Sequence, residues 1–526
     1  MSILSVVIFS AAFALFVRIF LIAFYRKWFA EGIFGDAAYH YCIVRTMCGA
    51  SGSYRGVPEF YLKNGPDRYP VLFHRFASLF GLRLVEARPY LPNLIVFVAF
   101  SVAFPVLVSF FESPLRLLYQ SSAIPGGFPL MAGLSVLLFV LSVPNNALHG
   151  HGILLLSLSE RLLAKLSVGF FYVGALLWRL DGNSAFLVVS MLSGSVALST
   201  SMFARQALFF VFPLWALASL DGALLLALLG AFGLAMILGG KTFLLGLQDQ
   251  WEFSKSYRLY TAKSRVFAES LSKFTALSEW RELVDLLFKF ALRSIFFRVI
   301  SYEPGKSIVR HTDVFLILIA GWGHLPATFV GLLVATVAVY LATTTKALRH
   351  FGESERYLDY VLAFVLPFML AWQILQQPTA AGAVTLLAVA LFLRLAFIGL
   401  SLWRDAGRTV AGNDSLVEIL AAGNVTRESR VLPLPINLGQ VISARTGCGV
   451  VCYPGVYGSW IFERYIDEYP LLKRPVERFI EEFGISKIVL HKAQIDHYAR
   501  IVGWSYDLEG FRKSAENGHW ICYDVE

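Results

Sequence analysis

The feature that most constrains the fold is a succession of long apolar runs that continues along most of the chain. Several runs approach the ~20 residues that a helix needs to cross the hydrocarbon core of a bilayer. Of the 526 residues, 57% are hydrophobic and only 15% are charged, against ~25% charged in an average soluble domain. We therefore predict a mainly α-helical, polytopic transmembrane bundle of about 10–11 spans. The runs lie near residues 3–24, 91–111, 128–143, 160–179, 184–201, 203–220, 222–239, 312–343, 356–376 and 379–402.

One of these runs, 312–343, is longer than a single span requires. It is interrupted by Gly321, Gly323 and Pro326, so it is either one tilted helix or two short ones. The parity of the span count depends on this choice.

Charge divides the chain into two parts. Residues 1–404 carry 32 Lys or Arg and 20 Asp or Glu, a net charge of +12, whereas residues 405–526 carry 13 and 16, a net charge of −3. We predict a transmembrane domain over 1–404 and a soluble domain over 405–526. The basic excess of the membrane part suits lipid phosphates and does not indicate nucleic-acid binding.

The C-terminal part has the pattern of a small α/β domain. RVLPLP, GVVCYP and ISKIVLHK read as strands, and RPVERFIEEFG reads as a helix with Pro near its start and Gly484 at its end. Before it, residues of about 241–311 mix apolar positions at helical spacing with Lys and Arg, which is typical of interfacial amphipathic helices. Such helices close off a membrane domain or line a groove for lipid entry.

A polar loop of about 26–90 follows the first span and holds the most unusual local sequence. It begins GDAAYHYCIVR, and in a helix Asp36 and His40 would lie four residues apart on one face, where they could share a proton or a metal. Arg45 follows them. The loop returns through YPVLFH, which ends at His74. The alternatives are that Asp36 and His40 cap a loop helix and that His74 packs where the chain re-enters the membrane.

The order of first span, D-x-x-Y-H, a nearby basic residue and Y-P-x-L-F-H resembles the GT-C superfamily of membrane glycosyltransferases. Over residues 30–80 it has a local likeness to archaeal catalytic subunits of oligosaccharyltransferase. The resemblance implies a multi-span body with a soluble C-terminal domain, and an active site on the outer face of the membrane. It also implies a donor sugar on a polyprenyl phosphate or pyrophosphate, and a first-loop acid, here Asp36, that acts as catalytic base or metal ligand.

Two features depart from the oligosaccharyltransferase pattern. The chain has no W-W-D-x-G acceptor motif, and its second loop offers His149, His151, Glu160 and Arg161 where further acidic ligands are usual. Asparagine glycosylation of proteins is therefore not expected. A metal-independent glycosyltransferase, or one that uses histidines at unusual places, fits this sequence better. In the simpler alternative, His149 and His151 mark a polar turn, and Glu160 and Arg161 form a local pair.

Inverting glycosyl transfer needs a base for the acceptor hydroxyl and positive charge for the leaving phosphate. Arg161, Arg205 and Arg45 are the candidate phosphate ligands, since the guanidinium group matches phosphate oxygens. Arg205 and Gln206 interrupt an otherwise apolar pair of spans. Arg205 could instead extend to a lipid headgroup. Glu160, His74, Gln206, His149 and His151 are the candidate supporting residues.

The sequence thus predicts a multi-pass plasma-membrane glycosyltransferase that acts on the non-cytoplasmic face, where its C-terminal domain also lies. The expected partners are a polyprenyl-linked sugar donor, a glycan, lipid or protein acceptor, and membrane lipids. Asp36 is the candidate base and His40 assists it. If the site holds a metal, Asp36 and His40 are its candidate ligands and Mg²⁺ or Mn²⁺ is the expected ion. The alternatives are a transporter or flippase for lipid-linked sugars and a non-catalytic assembly subunit.

Overall fold

The structure is a computed structural model. Apart from short interruptions and isolated positions elsewhere, it describes residues 36–49, 69–110, 158–263, 325–351, 354–362, 413–451 and 470–525.

Three helices lie in the segment predicted as the first loop, and a fourth follows it. The fourth corresponds to the apolar run predicted at 91–111. In order they are α1 (Asp36–Gly49), α2 (Leu72–Ser78), α3 (Leu82–Ala87) and α4 (Leu91–Phe110).

Helices α5 (Arg161–Asp181) and α6 (Ser184–Thr200) form a tight antiparallel pair. Gly182 ends α5 in the left-handed region at φ 74°, where glycine is favoured, and the next residue caps α6. Helix α5 packs closely against α6 at Gly174, which has no side chain. An added Cβ there would stand only 2.9 Å from the carbonyl oxygen of Phe186. Small residues at such contacts are how helices approach each other in membranes.

The chain breaks between α6 and α7 (Met202–Ala218) at Ser201, which is extended and buried. The middle of α7, Ala207–Val211, is a π-helix, a geometry frequent near functional sites. This break brings residues of the α7 N-terminus inside the bundle.

Helix α8 (Leu225–Lys263) is longer than the run predicted at 222–239. At Gly240 the backbone is non-helical (φ 51°, ψ −142°), and the helix then resumes. The prediction followed hydropathy, which drops after Gly240, whereas the polar continuation buries Gln250, Ser254 and Ser256 against the rest of the molecule. The first part of the amphipathic segment predicted over 241–311 lies within α8, and most of the remainder lies outside the described residues.

Helix α9 (Ala327–Thr343) begins directly after Pro326. A proline disfavours helical backbone in the residue before it, so this start coincides with the interruption that Pro326 makes in the long run 312–343. The choice between one tilted helix and two short ones stays open. Residues 312–324, 128–143 and 379–388 lie outside the described residues, and the total number of spans stays a prediction. Within the described part, two helices are long and apolar enough to cross a membrane, Arg161–Asp181 and Gly222–Arg258.

The C-terminal residues form a five-stranded sheet in the order β2-β1-β3-β5-β4. Strands β2, β1 and β3 are parallel, and β5 and β4 complete the sheet in antiparallel pairing. The predicted α/β character is confirmed, whereas the boundary at 404/405 lies outside the described residues. The strands are β1 (Arg430–Leu434), β2 (Gly449–Val450), β3 (Lys487–His491), β4 (Arg512–Glu516) and β5 (Trp520–Asp524). The helices are α10 (Asn413–Ala422), α11 (Gly439–Thr446), α12 (Val476–Phe483) and α13 (Lys492–Val502).

Helix α1 shares one hydrophobic core with this C-terminal domain. Its apolar side chains pack with residues of α10, α11 and the sheet, among them Ile419, Ile442 and Val450. The backbone N–H of Leu62, in the first loop, also donates to the carbonyl oxygen of Val450 on edge strand β2 at 2.8 Å. The first loop is therefore packed against the C-terminal domain as well as against the helical bundle.

Candidate active site

Glu160 immediately precedes α5 and is the centre of a buried polar cluster. Its Oε2 lies 2.7 Å from Nε2 of His40 on α1. Its Oε1 accepts hydrogen bonds from the Tyr69 hydroxyl at 2.8 Å and from the Ser201 hydroxyl at 3.4 Å. The start of a helix favours a negative charge, so the position suits a carboxylate. Four segments that are distant in sequence therefore meet at one side chain.

The second nitrogen of His40 is also engaged. Its Nδ1 lies 2.9 Å from Nε2 of His74 on α2. His40 Nε2 donates a hydrogen bond to the carboxylate, and one further hydrogen bond joins His40 Nδ1 to His74 Nε2. The two rings and Glu160 are therefore connected by consecutive hydrogen bonds. The rings are tilted by 32° with centroids 5.1 Å apart, and the Tyr69 ring closes the cluster edge-on to His74.

Burial and charge set the ionisation of this cluster. Burial alone would raise the pKa of Glu160, but the charge and hydrogen bond of His40, aided by the charge of Arg161, hold that pKa well below its usual range. Burial, with the nearby charge of His40, lowers the pKa of His74 to about 3. At neutral pH Glu160 is therefore a carboxylate and His74 a neutral imidazole. A carboxylate whose pKa is lowered in this way is a weak base, so Glu160 suits a role in charged contacts better than a role as proton acceptor.

Positive side chains lie along the α5 end of the cluster. Arg161 follows Glu160 directly, and Lys165, one helical turn later, is only 3% exposed. Tyr360, from the helical residues 355–362, interacts electrostatically with both Glu160 and Arg161. A buried lysine and an arginine one turn apart can receive the oxygens of a phosphate group.

Arg205 is held by protein groups inside the bundle. Its Nε donates to the carbonyl oxygen of Leu198 at 2.7 Å, and its Nη1 donates to the carbonyl oxygen of Gly246 at 3.3 Å and to Oε1 of Gln250 at 3.2 Å. Its guanidinium carbon stands 5.3 Å from the ring centroid of Phe243. These contacts join α6, α7 and α8, a structural arrangement that the sequence did not suggest. The neighbouring Gln206 is also buried.

Arg45 points away from the cluster. About two and a half helical turns separate it from Asp36, which places the two on opposite sides of α1. Its guanidinium covers Gly447 of the C-terminal domain, where an added Cβ would stand 2.5 Å from Nη2. The structure therefore brings His40, His74, Glu160 and Arg161 together but places Arg45 elsewhere.

Asp36 is the first residue of α1, one turn before His40 on the same side of the helix. Its side chain lies outside the described residues, as do His149 and His151. The roles given to these three residues stay predictions.

Sequence reasoning missed three members of this region: Tyr69, Ser201 and Lys165. Lys165 carried a signal, since it repeats the charge of Arg161 at a spacing of four inside an apolar run, and charges within spans tend to be functional. Tyr69 stands in the Y-P-x-L-F-H motif, but nothing local distinguishes its hydroxyl from that of other tyrosines. Ser201 resembles the neighbouring Ser and Thr residues of its run.

No family model matches the chain, and no curated protein matches it. Among solved structures, it matches the oligosaccharyltransferase of Archaeoglobus fulgidus tethered with an acceptor peptide containing the NVT sequon. The TM-score is 0.53 at 12% identity, over 96% of this chain and 70% of that chain. The two chains share a fold.

Two further structures extend the comparison. The oligosaccharyltransferase AglB from Archaeoglobus fulgidus, in complex with an inhibitory peptide and a dolichol-phosphate, matches with a TM-score of 0.52 at 11% identity, over 96% of this chain and 71% of that one. ArnT from Cupriavidus metallidurans bound to undecaprenyl phosphate reaches 0.45 at 14% identity, over 98% and 97% of the two chains, a score too low to add to the argument. The likeness to the GT-C fold inferred from the first-loop motifs is confirmed.

The Archaeoglobus fulgidus oligosaccharyltransferase has also been solved with Zn and sulfate, so we tested whether the cluster fits a metal ion. Both ring nitrogens of His40 and both oxygens of Glu160 are engaged in hydrogen bonds, which leaves no lone pair of His40 directed at a cation. Within the described ranges, no group of three His, Cys, Asp or Glu could hold a metal. The cluster therefore does not fit a metal through His40.

Proposed function

We propose that this protein is an integral membrane glycosyltransferase that transfers a sugar from a polyprenyl phosphate or pyrophosphate to an acceptor on the non-cytoplasmic face. The observation that carries the proposal is the buried cluster at Glu160, which joins the first-loop helix of Asp36 to the start of a span beside Arg161 and Lys165. The oligosaccharyltransferase fold adds support, because solved structures with this fold hold an acceptor peptide or a dolichol-phosphate.

In the proposed reaction, Asp36 takes the proton from the acceptor hydroxyl as its oxygen attacks the anomeric carbon of the donor sugar. The bond from that carbon to the phosphate oxygen breaks, and the lipid phosphate leaves with the electron pair. General base catalysis of this kind contributes typically about 10²–10⁴-fold to a rate. Attack opposite the leaving group inverts the anomeric centre.

The leaving phosphate gains negative charge, which the protein has to stabilise. Arg161 and Lys165 are the proposed ligands, because both lie on α5 next to the carboxylate cluster. Arg205 and Arg45, whose guanidinium groups contact other parts of the protein, are proposed to hold the bundle and the C-terminal domain in place. The C-terminal domain contributes by packing against α1, and acceptor recognition is the further role we assign to it.

The test is transfer from a panel of radiolabelled polyprenyl-phosphate and polyprenyl-pyrophosphate sugars by purified protein in nanodiscs. Wild type should label a glycan, lipid or peptide acceptor, and Asp36→Asn should lose at least about 10²-fold in rate. Asp496→Asn, at an exposed position on α13, is the matched control and should retain full activity. Full activity in Asp36→Asn would remove the assignment of the base. Absence of turnover on every donor, together with flux of a lipid-linked sugar in liposomes, would make the protein a transporter.

A further inference from the structure

Helix α1 is held from two sides. On one side its apolar residues, such as Ala38 and Cys42, are fully buried in a core shared with the C-terminal domain. On the other side the contact is polar, because His40 meets the carboxylate of Glu160. A helix enclosed in this way has a fixed position, and the polar side is the one that also carries Asp36.

The carboxylate of Glu160 has no oxygen left for chemistry. Oε2 is taken by His40, and Oε1 accepts from Tyr69 and from Ser201. Charge-assisted hydrogen bonds of this kind are short and directional. The arrangement fixes α1, the Tyr69 segment and the start of α7 relative to α5. Its role is therefore to hold these segments in position.

We infer that Glu160 is a positioning residue: through His40 and Tyr69 it locks α1 onto the start of α5 and thereby sets where Asp36 stands. This inference rests on the proposed function. A shift of about 1 Å in a catalytic group can lower a rate by about 10²-fold, so loss of the lock should act on the reaction step. The lipid donor, held mainly by other groups, should bind as before.

The kinetic experiment compares Glu160→Gln, His40→Asn and the double variant. Each single variant should lower kcat by about 10–10²-fold while KM for the donor changes by less than about 2-fold. The double variant should be no worse than the poorer single one, because both break the same link. Glu509→Gln, at an exposed site of the C-terminal domain, is the matched control. Multiplying effects in the double variant, or a rise in KM alone, would overturn the inference.

The second experiment does not depend on turnover. Amide hydrogen exchange in α1 should accelerate several-fold in Glu160→Gln and His40→Asn, while exchange in β1 and β3 stays unchanged. Tyr69→Phe removes only a hydroxyl and gives a milder version of the same result if Glu160→Gln fails to fold. Unchanged exchange in α1 would overturn the inference. If exchange in α1 is faster in the variants but the wild type transfers no sugar, the proposed function is overturned. The positioning of α1 by Glu160 then still stands.

Discussion

The buried position of His74 leads to a strong pH dependence of stability. This side chain is fully buried, and its pKa falls from 6.5 to about 3 in the folded protein. Between these two values the unfolded chain binds a proton at His74 that the folded protein excludes. The contribution is therefore complete above about pH 6.5 and is lost progressively as the pH falls toward 3.

The magnitude follows from linkage. Each pH unit in this window removes about 1.4 kcal/mol of unfolding free energy, so acidification to two units below 6.5 removes about 2.7 kcal/mol. This corresponds to about a 100-fold change in the unfolding equilibrium. Glu160, whose pKa is lowered, adds a loss in the same direction only below the ordinary carboxyl range of about 4.

The assay is equilibrium unfolding in mixed micelles at about pH 7.5 and about pH 4.5. This range covers about the upper two pH units of the window between 6.5 and 3. His74→Asn cannot titrate, so its loss on acidification should be smaller than that of wild type by about 2.7 kcal/mol. His497→Asn, an exposed histidine on α13, serves as control and should behave as wild type. Equal losses in wild type and His74→Asn would refute the reasoning.

Three further predictions test the structural roles assigned above. Arg205→Met should lower the unfolding free energy by about 2–5 kcal/mol, because it leaves buried acceptors on α6 and α8 unpaired; a rise in donor KM without loss of stability would instead indicate phosphate binding. Gly447→Ala should destabilise by about 1–2 kcal/mol in the same unfolding assay, because φ is +77° and the methyl group meets Arg45. When Arg45→Ala is combined with Gly447→Ala, only the part of the stability loss that the contact with Arg45 causes should be recovered. His40→Asn should leave the affinity for Mn²⁺, measured by calorimetry, equal to that of Glu160→Gln, and a tenfold loss confined to His40→Asn would show that His40 is a ligand.

The architecture of the bundle could be predicted in outline because hydropathy and helix ends are local properties. The runs at 160–179 and 184–201 correspond to α5 and α6, and the turn between them is set by Gly182. In the C-terminal domain, α12 begins after Pro475 and ends at Gly484, in agreement with the sequence pattern. Composition could not show that the helix of α8 resumes beyond Gly240.

The site was predicted only in part. The motif residues His40 and His74 do meet, and Glu160 and Arg161 lie beside them. The sequence ranked Glu160 as a supporting residue, whereas the structure makes it the centre of the cluster. Its partner Tyr69 is 91 residues away in sequence, and no local pattern encodes such a pairing.

By itself, the sequence determined that the chain has helices of membrane-spanning length, a C-terminal α/β domain and a polar first loop, because each depends on local composition and spacing. Only the tertiary structure decided which side chains act together. It turned Arg45 toward Gly447, engaged Arg205 with carbonyl groups and brought Glu160 to His40. The reason is that a buried charge must find its partners wherever packing places them, and packing joins segments that are far apart in the chain.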